Sequence, residues 1–153
     1  MPLEFVTGSI FERDSQLLVC PVNTYGVAGA GLALEFKHRF PAQVEFYRKS
    51  CARRTFKPGQ ILVDKESLDD EPVILFAATK DNWRYPSKSQ WVWDCLEGIN
   101  LFLIDNPRIE IASIPALGCG LGRLAWPKVK HRMTTVFHGL SRCRILAFQP
   151  AIK

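Results

Sequence analysis

Apolar positions along this chain follow two alternating rhythms. Leu17 to Val22 and Val73 to Ala78 are short continuous apolar runs, the pattern of strands covered on both faces of a sheet, and the apolar-rich Ile109 to Ile114 reads as another central strand. Between them apolar residues recur three or four apart, as on one side of a helix. Leu32, Ala33, Phe36 and Phe40 form one such stripe, in a helix expected to begin between Gly29 and Leu32. Pro41 breaks it and opens a second helix, with Val44, Tyr47 and Cys51 facing inward. Ser87-Lys88-Ser89-Gln90 has capping-box form, so Ser87 is expected to cap a helix carrying Trp91, Cys95, Ile99, Phe102 and Leu103. Asn106-Pro107 ends that helix. A last long helix starts at Pro127 and carries Val129, Met133, Val136, Phe137 and Leu140, with Gly139 near its end. Glu4 to Thr7, Gln60 to Asp64 and Arg144 to Phe148 supply the remaining strands. Strands alternating with helices, without repeat, linker or low-complexity tract, predict an α/β sandwich in a single domain over residues 1–153.

Composition adds bounds. With 47% hydrophobic and 23% charged residues the chain can bury a real core, which excludes a disordered segment. No apolar run approaches the ~20 residues that span a bilayer, and Met-Pro-Leu-Glu-Phe lacks the start of a secretion signal. A cytoplasmic location is the expectation. Cys20, Cys51, Cys95, Cys119 and Cys143 form no CxxC pair and do not sit near His38, His131 or His138 at zinc-site spacing. They read as buried reduced thiols, and no metal or cofactor is expected.

The net charge of +5 is unevenly spread. Lys37, Arg39, Arg48, Lys49, Arg53, Arg54 and Lys57 stand against Glu45 alone, and Arg123 to Arg144 carries six cations and no acid. These runs fit solvated helix faces or a basic rim for nucleic acid. Asp69-Asp70-Glu71, before Pro72, reads as an exposed turn.

Two glycine-punctuated loops carry the candidate chemistry. Val22 to Gly31 follows the first apolar strand, and Pro115-Ala116-Leu117-Gly118-Cys119-Gly120-Leu121-Gly122 follows the third. Glycines let backbone N–H groups close on an anion, and two such loops at the carboxyl ends of strands could grip a diphosphate. Tight turns would also demand glycine. The first loop spells G-x-x-G-x-G, neither the dinucleotide fingerprint nor a P-loop. Asn23 suits a ribose hydroxyl pair or an Asx-turn of its own backbone. Lys80 ends an apolar strand, where an amine is either the first solvated residue or a partly desolvated nucleophile. Trp83, Arg84 and Tyr85 follow, fit for stacking on a ring or for anchoring the loop.

Those segments carry a resemblance. VNTYGVAGAGLALEFKHRFP, ATKDNWRYPS and IPALGCGLGRLAW resemble macrodomains, the ADP-ribose-binding fold, over nearly the whole chain. The last stretch is similar to the branch of DNA ADP-ribosyl glycohydrolase antitoxins of DarT–DarG systems. The resemblance implies a three-layer α/β/α sandwich around a mixed, roughly six-stranded central sheet. It implies ADP-ribose contacts from Ser9 and Ile10, from Asn23, Thr24, Gly26, Val27, Ala28, Gly29, Ala30, Gly31 and Leu32, from Thr79, and from Pro115 to Gly122. Trp83 and Arg84 are candidate substrate contacts. Lys80 matches the lysine that this branch uses at the anomeric carbon of the distal ribose.

The pattern departs from the family in places. Ser9 stands where many macrodomains bind adenine with an Asp, and Ala28 and Ala30 stand where relatives commonly have Met and Lys. Relatives acting on protein-linked ADP-ribose can carry an acid at the position of Gly122. Its absence favours nucleic acid. The resemblance therefore implies an ADP-ribosyl glycohydrolase removing ADP-ribose from a DNA base, with single-stranded nucleic acid a candidate partner for the basic surface and no membrane partner. A non-catalytic ADP-ribose-binding module, an ADP-ribose 1″-phosphate phosphatase and a protein ADP-ribosyl hydrolase remain alternatives. The antitoxins hold a second domain that restrains the toxin, so such restraint is not assigned to this chain.

Overall fold

Alternation along the central strands explains why their apolar runs are unbroken. In strand β2 (Leu17–Asn23), Leu17 and Val19 face one side of the sheet while Leu18, Cys20 and Val22 face the other. Strand β4 (Val73–Lys80) divides in the same way, with Val73, Leu75 and Ala77 on one side and Ile74, Phe76 and Ala78 on the other. Both sides are covered by helices, so neither set meets water. The computed structural model describes residues 2–151; Met1, Ile152 and Lys153 lie outside the described residues.

Strands β1 (Leu3–Val6), β3 (Ile61–Val63), β5 (Ile111–Ile114) and β6 (Arg144–Phe148) complete one mixed sheet in the order β1-β6-β5-β2-β4-β3. All neighbours are parallel except β3, which runs antiparallel on β4. Helices α1 (Gly31–Arg39) and α2 (Pro41–Ala52) close one face around Phe36, Val44 and Tyr47. Helices α3 (Ser89–Asp105) and α4 (Trp126–Val136) close the other around Leu96, Ile99, Val129 and Met133. The sandwich is the α/β/α arrangement expected. No helix among the described residues is long and apolar enough to cross a membrane.

Three expectations need correction. Helix α3 begins at Ser89 with Lys88 at its cap, and the Ser87 hydroxyl is buried without a hydrogen-bond partner. The Ser87 N–H donates instead to the Gly122 carbonyl at 3.0 Å, which draws Ser87 away from the helix start. The buried seam of α3 is Val92, Cys95, Leu96, Ile99 and Leu103, so Trp91 stands beside the seam, with the Lys88 ammonium over its ring. Helix α4 ends at Val136, three residues short of Gly139. Thr134 and Thr135 turn their hydroxyls back onto the carbonyls four residues earlier, and Phe137 and Leu140 reach the core from the turn beyond.

Candidate functional site

Neighbouring strands β5, β2 and β4 end on the same side of the sheet, and three loops leave them there. From β2 the chain passes through α1 and α2 to one edge; from β5 it passes through α4 toward the other. Such a divergence opens a crevice at the carboxyl ends of parallel strands. The cleft here holds about 560 Å³, within the range of small-molecule sites.

The first loop is shaped by one side chain. Asn23 Oδ1 accepts the N–H groups of Tyr25 (3.0 Å) and Val27 (3.3 Å), while Nδ2 donates to the Val27 carbonyl at 2.8 Å. The amide thus makes the Asx-type turn and keeps one N–H of Nδ2 beyond these bonds. The fully buried Tyr47, stacked on Phe76 with ring centroids 5.2 Å apart, donates to the Asn23 carbonyl at 2.7 Å. Gly26 takes a φ of 81° and backs onto Cys51, where an added Cβ would stand 3.3 Å from the Cys51 Cβ.

The loop ends in helix α1, whose cap residue Ala30 offers no side-chain hydrogen bond and whose first turn holds no acid. Its opening residues Gly31, Leu32 and Ala33 line the cleft. Unpartnered N–H groups at a helix start draw anions, and nothing here competes for them.

Lys80 reaches the cleft from the end of β4. A register irregularity after Val22 pairs Asn23 with Lys80 and skips Thr79, so the amide and the amine share one rung of adjacent strands. Lys80 Nζ donates to the Trp83 carbonyl at 3.3 Å. Desolvation by burial, and then the Arg123 guanidinium, hold its pKa below that of an ordinary lysine. Asp81 points elsewhere: its carboxylate accepts the Thr24 hydroxyl at 2.6 Å.

The second loop is packed at two glycines and open at the third. A Cβ at Gly118 (φ 76°) would stand 2.8 Å from both Leu124 and Val92. One at Gly122 would stand 2.5 Å from the Gly118 carbonyl oxygen and collide with the Ser87 hydroxyl. Gly120 lines the cleft with nothing near its missing side chain.

Most of the expected residues line this cleft, together with Pro21, Val22 and Ala33, which sequence reasoning did not single out as contacts. Others stand outside the lining. Ser9 caps the 3-10 turn Ile10–Glu12 by accepting the Phe11 N–H, and Ile10 is buried in the core under α1 and α2. Thr24 bonds to Asp81, Gly26 packs on α2, and Ala28 and Leu117 are core residues. Cys119 packs on the α3/α4 side of the sheet, where burial pushes its thiol up to about 11, so it is no thiolate nucleophile. Arg84 lies over the Trp83 ring. Tyr47, Ser87 and Arg123 were not legible as site residues, because their partners are distant in sequence. Among the described residues no group of three or more His, Cys, Asp or Glu side chains could hold a metal ion.

This cleft and sheet match a known family. The macro domain family model matches residues 19–133, and the chain belongs to that family. The macrodomain of Thermus aquaticus DarG superposes with a TM-score of 0.88 at 35% identity, covering 97% of this chain and 98% of the other. The macrodomain of Mycobacterium tuberculosis DarG gives 0.90 at 30% identity over the same shares. Thermosipho africanus DarTG in complex with ADP-ribose gives 0.89 at 28% identity, over 99% of this chain and 42% of that one. The full-length Thermus aquaticus relative, named DNA ADP-ribosyl glycohydrolase, is 36% identical over 97% of this chain. The chain spans only about two fifths of the length of such relatives (41% and 42%).

Proposed function

We propose that this macrodomain is an ADP-ribosyl glycohydrolase that removes ADP-ribose from a modified DNA base, with Lys80 as its catalytic amine. The observation that carries the reading is Lys80 itself, a lysine of lowered pKa set opposite Asn23 between two loops that favour anions. The α1 N-terminus and the second glycine loop take the diphosphate, and the free N–H of Asn23 takes a distal ribose hydroxyl. The bond from the anomeric carbon to the base nitrogen breaks, and its electron pair leaves with the base, which takes the proton that Lys80 Nζ sheds on bonding to the carbon. Lys80 Nζ meets the carbon, and water then displaces the amine to release ADP-ribose.

Nucleic acid is favoured over protein by the names of the relatives and by Gly122. That position has no room for the acid that would resolve a lysine adduct. The thiols are free and four of the five are buried, which suits the reducing cytoplasm where we place the protein.

The test is an ADP-ribosylated single-stranded oligonucleotide incubated with wild type, Lys80→Ala and Lys80→Arg. Wild type should release ADP-ribose, and both variants should be slower by roughly 100-fold or more. Arginine keeps the charge but does not deprotonate, so it separates nucleophile from counter-ion. An oligonucleotide left intact by wild type, or cleared equally fast by either variant, overturns the mechanism. Tight ADP-ribose binding without turnover would instead make the chain a binding module.

A further inference from the structure

Tyr25, Trp83 and Tyr85 are 59%, 47% and 65% exposed, and none belongs to either core cluster. They stand on the two loops that leave β2 and β4 and supply Val27 and Trp83 to the cleft lining, and these loops are tied together by the Thr24–Asp81 hydrogen bonds. Polar contacts fix the backbone of the Trp83–Tyr85 loop. Asn82 accepts the Arg84 N–H at 3.0 Å through its side chain and the Tyr85 N–H at 3.1 Å through its carbonyl. Ser87 N–H is held by Gly122, and the Trp83 carbonyl accepts Lys80 Nζ.

Trp83 lines the cleft beside Lys80, and the Arg84 guanidinium sits 5.1 Å from its ring centroid. Arg84 joins none of the salt bridges among the described residues. An exposed indole with an unpaired cation over one of its faces can offer the other face to a base, while the cation pairs a phosphate.

We propose that Trp83 and Arg84 form a subsite for the nucleotide next to the ADP-ribosylated one in a single strand. The neighbouring base stacks on Trp83, the linking phosphate meets Arg84, and Tyr25 and Tyr85 extend the shelf. This rests on the nucleic-acid hydrolase reading above. In a duplex the neighbouring base already has both faces stacked, so the subsite selects single strands.

The experiment compares kcat/KM on an ADP-ribosylated mononucleoside with kcat/KM on the same nucleoside inside a single-stranded oligonucleotide. Wild type should prefer the oligonucleotide by roughly tenfold, the scale of one base stacked on an aromatic ring. Trp83→Ala should lose most of that preference and Trp83→Phe should keep most of it. Arg84→Ala should reduce the preference and its dependence on salt. Equal rates on the two substrates in wild type, an intact preference in Trp83→Ala, or a duplex cleaved as fast as the single strand would each overturn the subsite. Should wild type cleave neither substrate, the hydrolase reading fails and the subsite is judged by binding alone. The Kd for an unmodified single-stranded oligonucleotide then weakens roughly tenfold in Trp83→Ala if the subsite exists. An unchanged Kd removes it.

Discussion

Burial strips water from the Lys80 amine and the nearby Arg123 cation opposes its charge, so both favour the neutral form that the proposed mechanism requires. Arg123→Ala removes the smaller of these effects. The Lys80 pKa should rise toward its ordinary value, less free amine should exist at neutral pH, and the acid limb of a kcat–pH profile should move to higher pH. Alanine keeps a Cβ at the left-handed φ of 63°, so backbone strain there is unchanged and the charge alone is tested. A limb that stays in place sinks the coupling. Tyr47 acts one step further back. Tyr47→Phe removes the hydroxyl that donates to the Asn23 carbonyl and lies 3.1 Å from its Oδ1, and should cost about 1–3 kcal/mol in urea denaturation while weakening ADP-ribose binding.

The Gly118–Leu124 turn is the element on which the second loop depends, closed by the Leu124 N–H on the Gly118 carbonyl at 2.8 Å. Gly122→Ala drives a methyl into that same carbonyl and should destabilise by about 1–3 kcal/mol, with a parallel loss of ADP-ribose affinity measured by calorimetry. Ser87→Ala separates two accounts of one residue. As a helix cap its loss would cost about 1 kcal/mol; as a buried hydroxyl without a partner its removal should leave the melting temperature equal or higher. The second outcome is expected here. The sequence pattern could not distinguish them, because Ser87-Lys88-Ser89-Gln90 satisfies the capping rule while the competing acceptor, Gly122, lies 35 residues downstream.

Across the whole molecule, a net charge of +5 should draw a polyanion more than it draws one nucleotide. Affinity for single-stranded oligonucleotide should fall with salt, with a logarithmic slope of about −0.7 for each phosphate neutralised. Affinity for free ADP-ribose, which the proposed site would hold mainly by backbone N–H groups, should fall less. Titrations of both ligands at low and physiological salt check this, and parallel slopes would remove the basic surface from the argument. The salt bridges pairing Arg48, Arg108 and Arg144 with Glu45, Asp69 and Glu4 are exposed, so they trim the field more than they stabilise the fold.

What the chain determined alone was local: unbroken apolar runs made β2 and β4 buried strands, Pro41 divided two helices, and glycine-dense loops marked backbone that must lie close to something. Lys80 and Asn23 were visible as strand-end residues of the right chemistry. Tertiary structure decided what they face. Strand order put β2 between β5 and β4, and the skipped Thr79 set Asn23 level with Lys80. Folding also brought Arg123 close enough to perturb the amine and laid Tyr47 under the first loop. Periodicity records which side of an element is dry, because that depends on neighbours three or four residues away. The rung that sets Asn23 beside Lys80 depends on a pairing between residues more than fifty positions apart, and no local pattern records that.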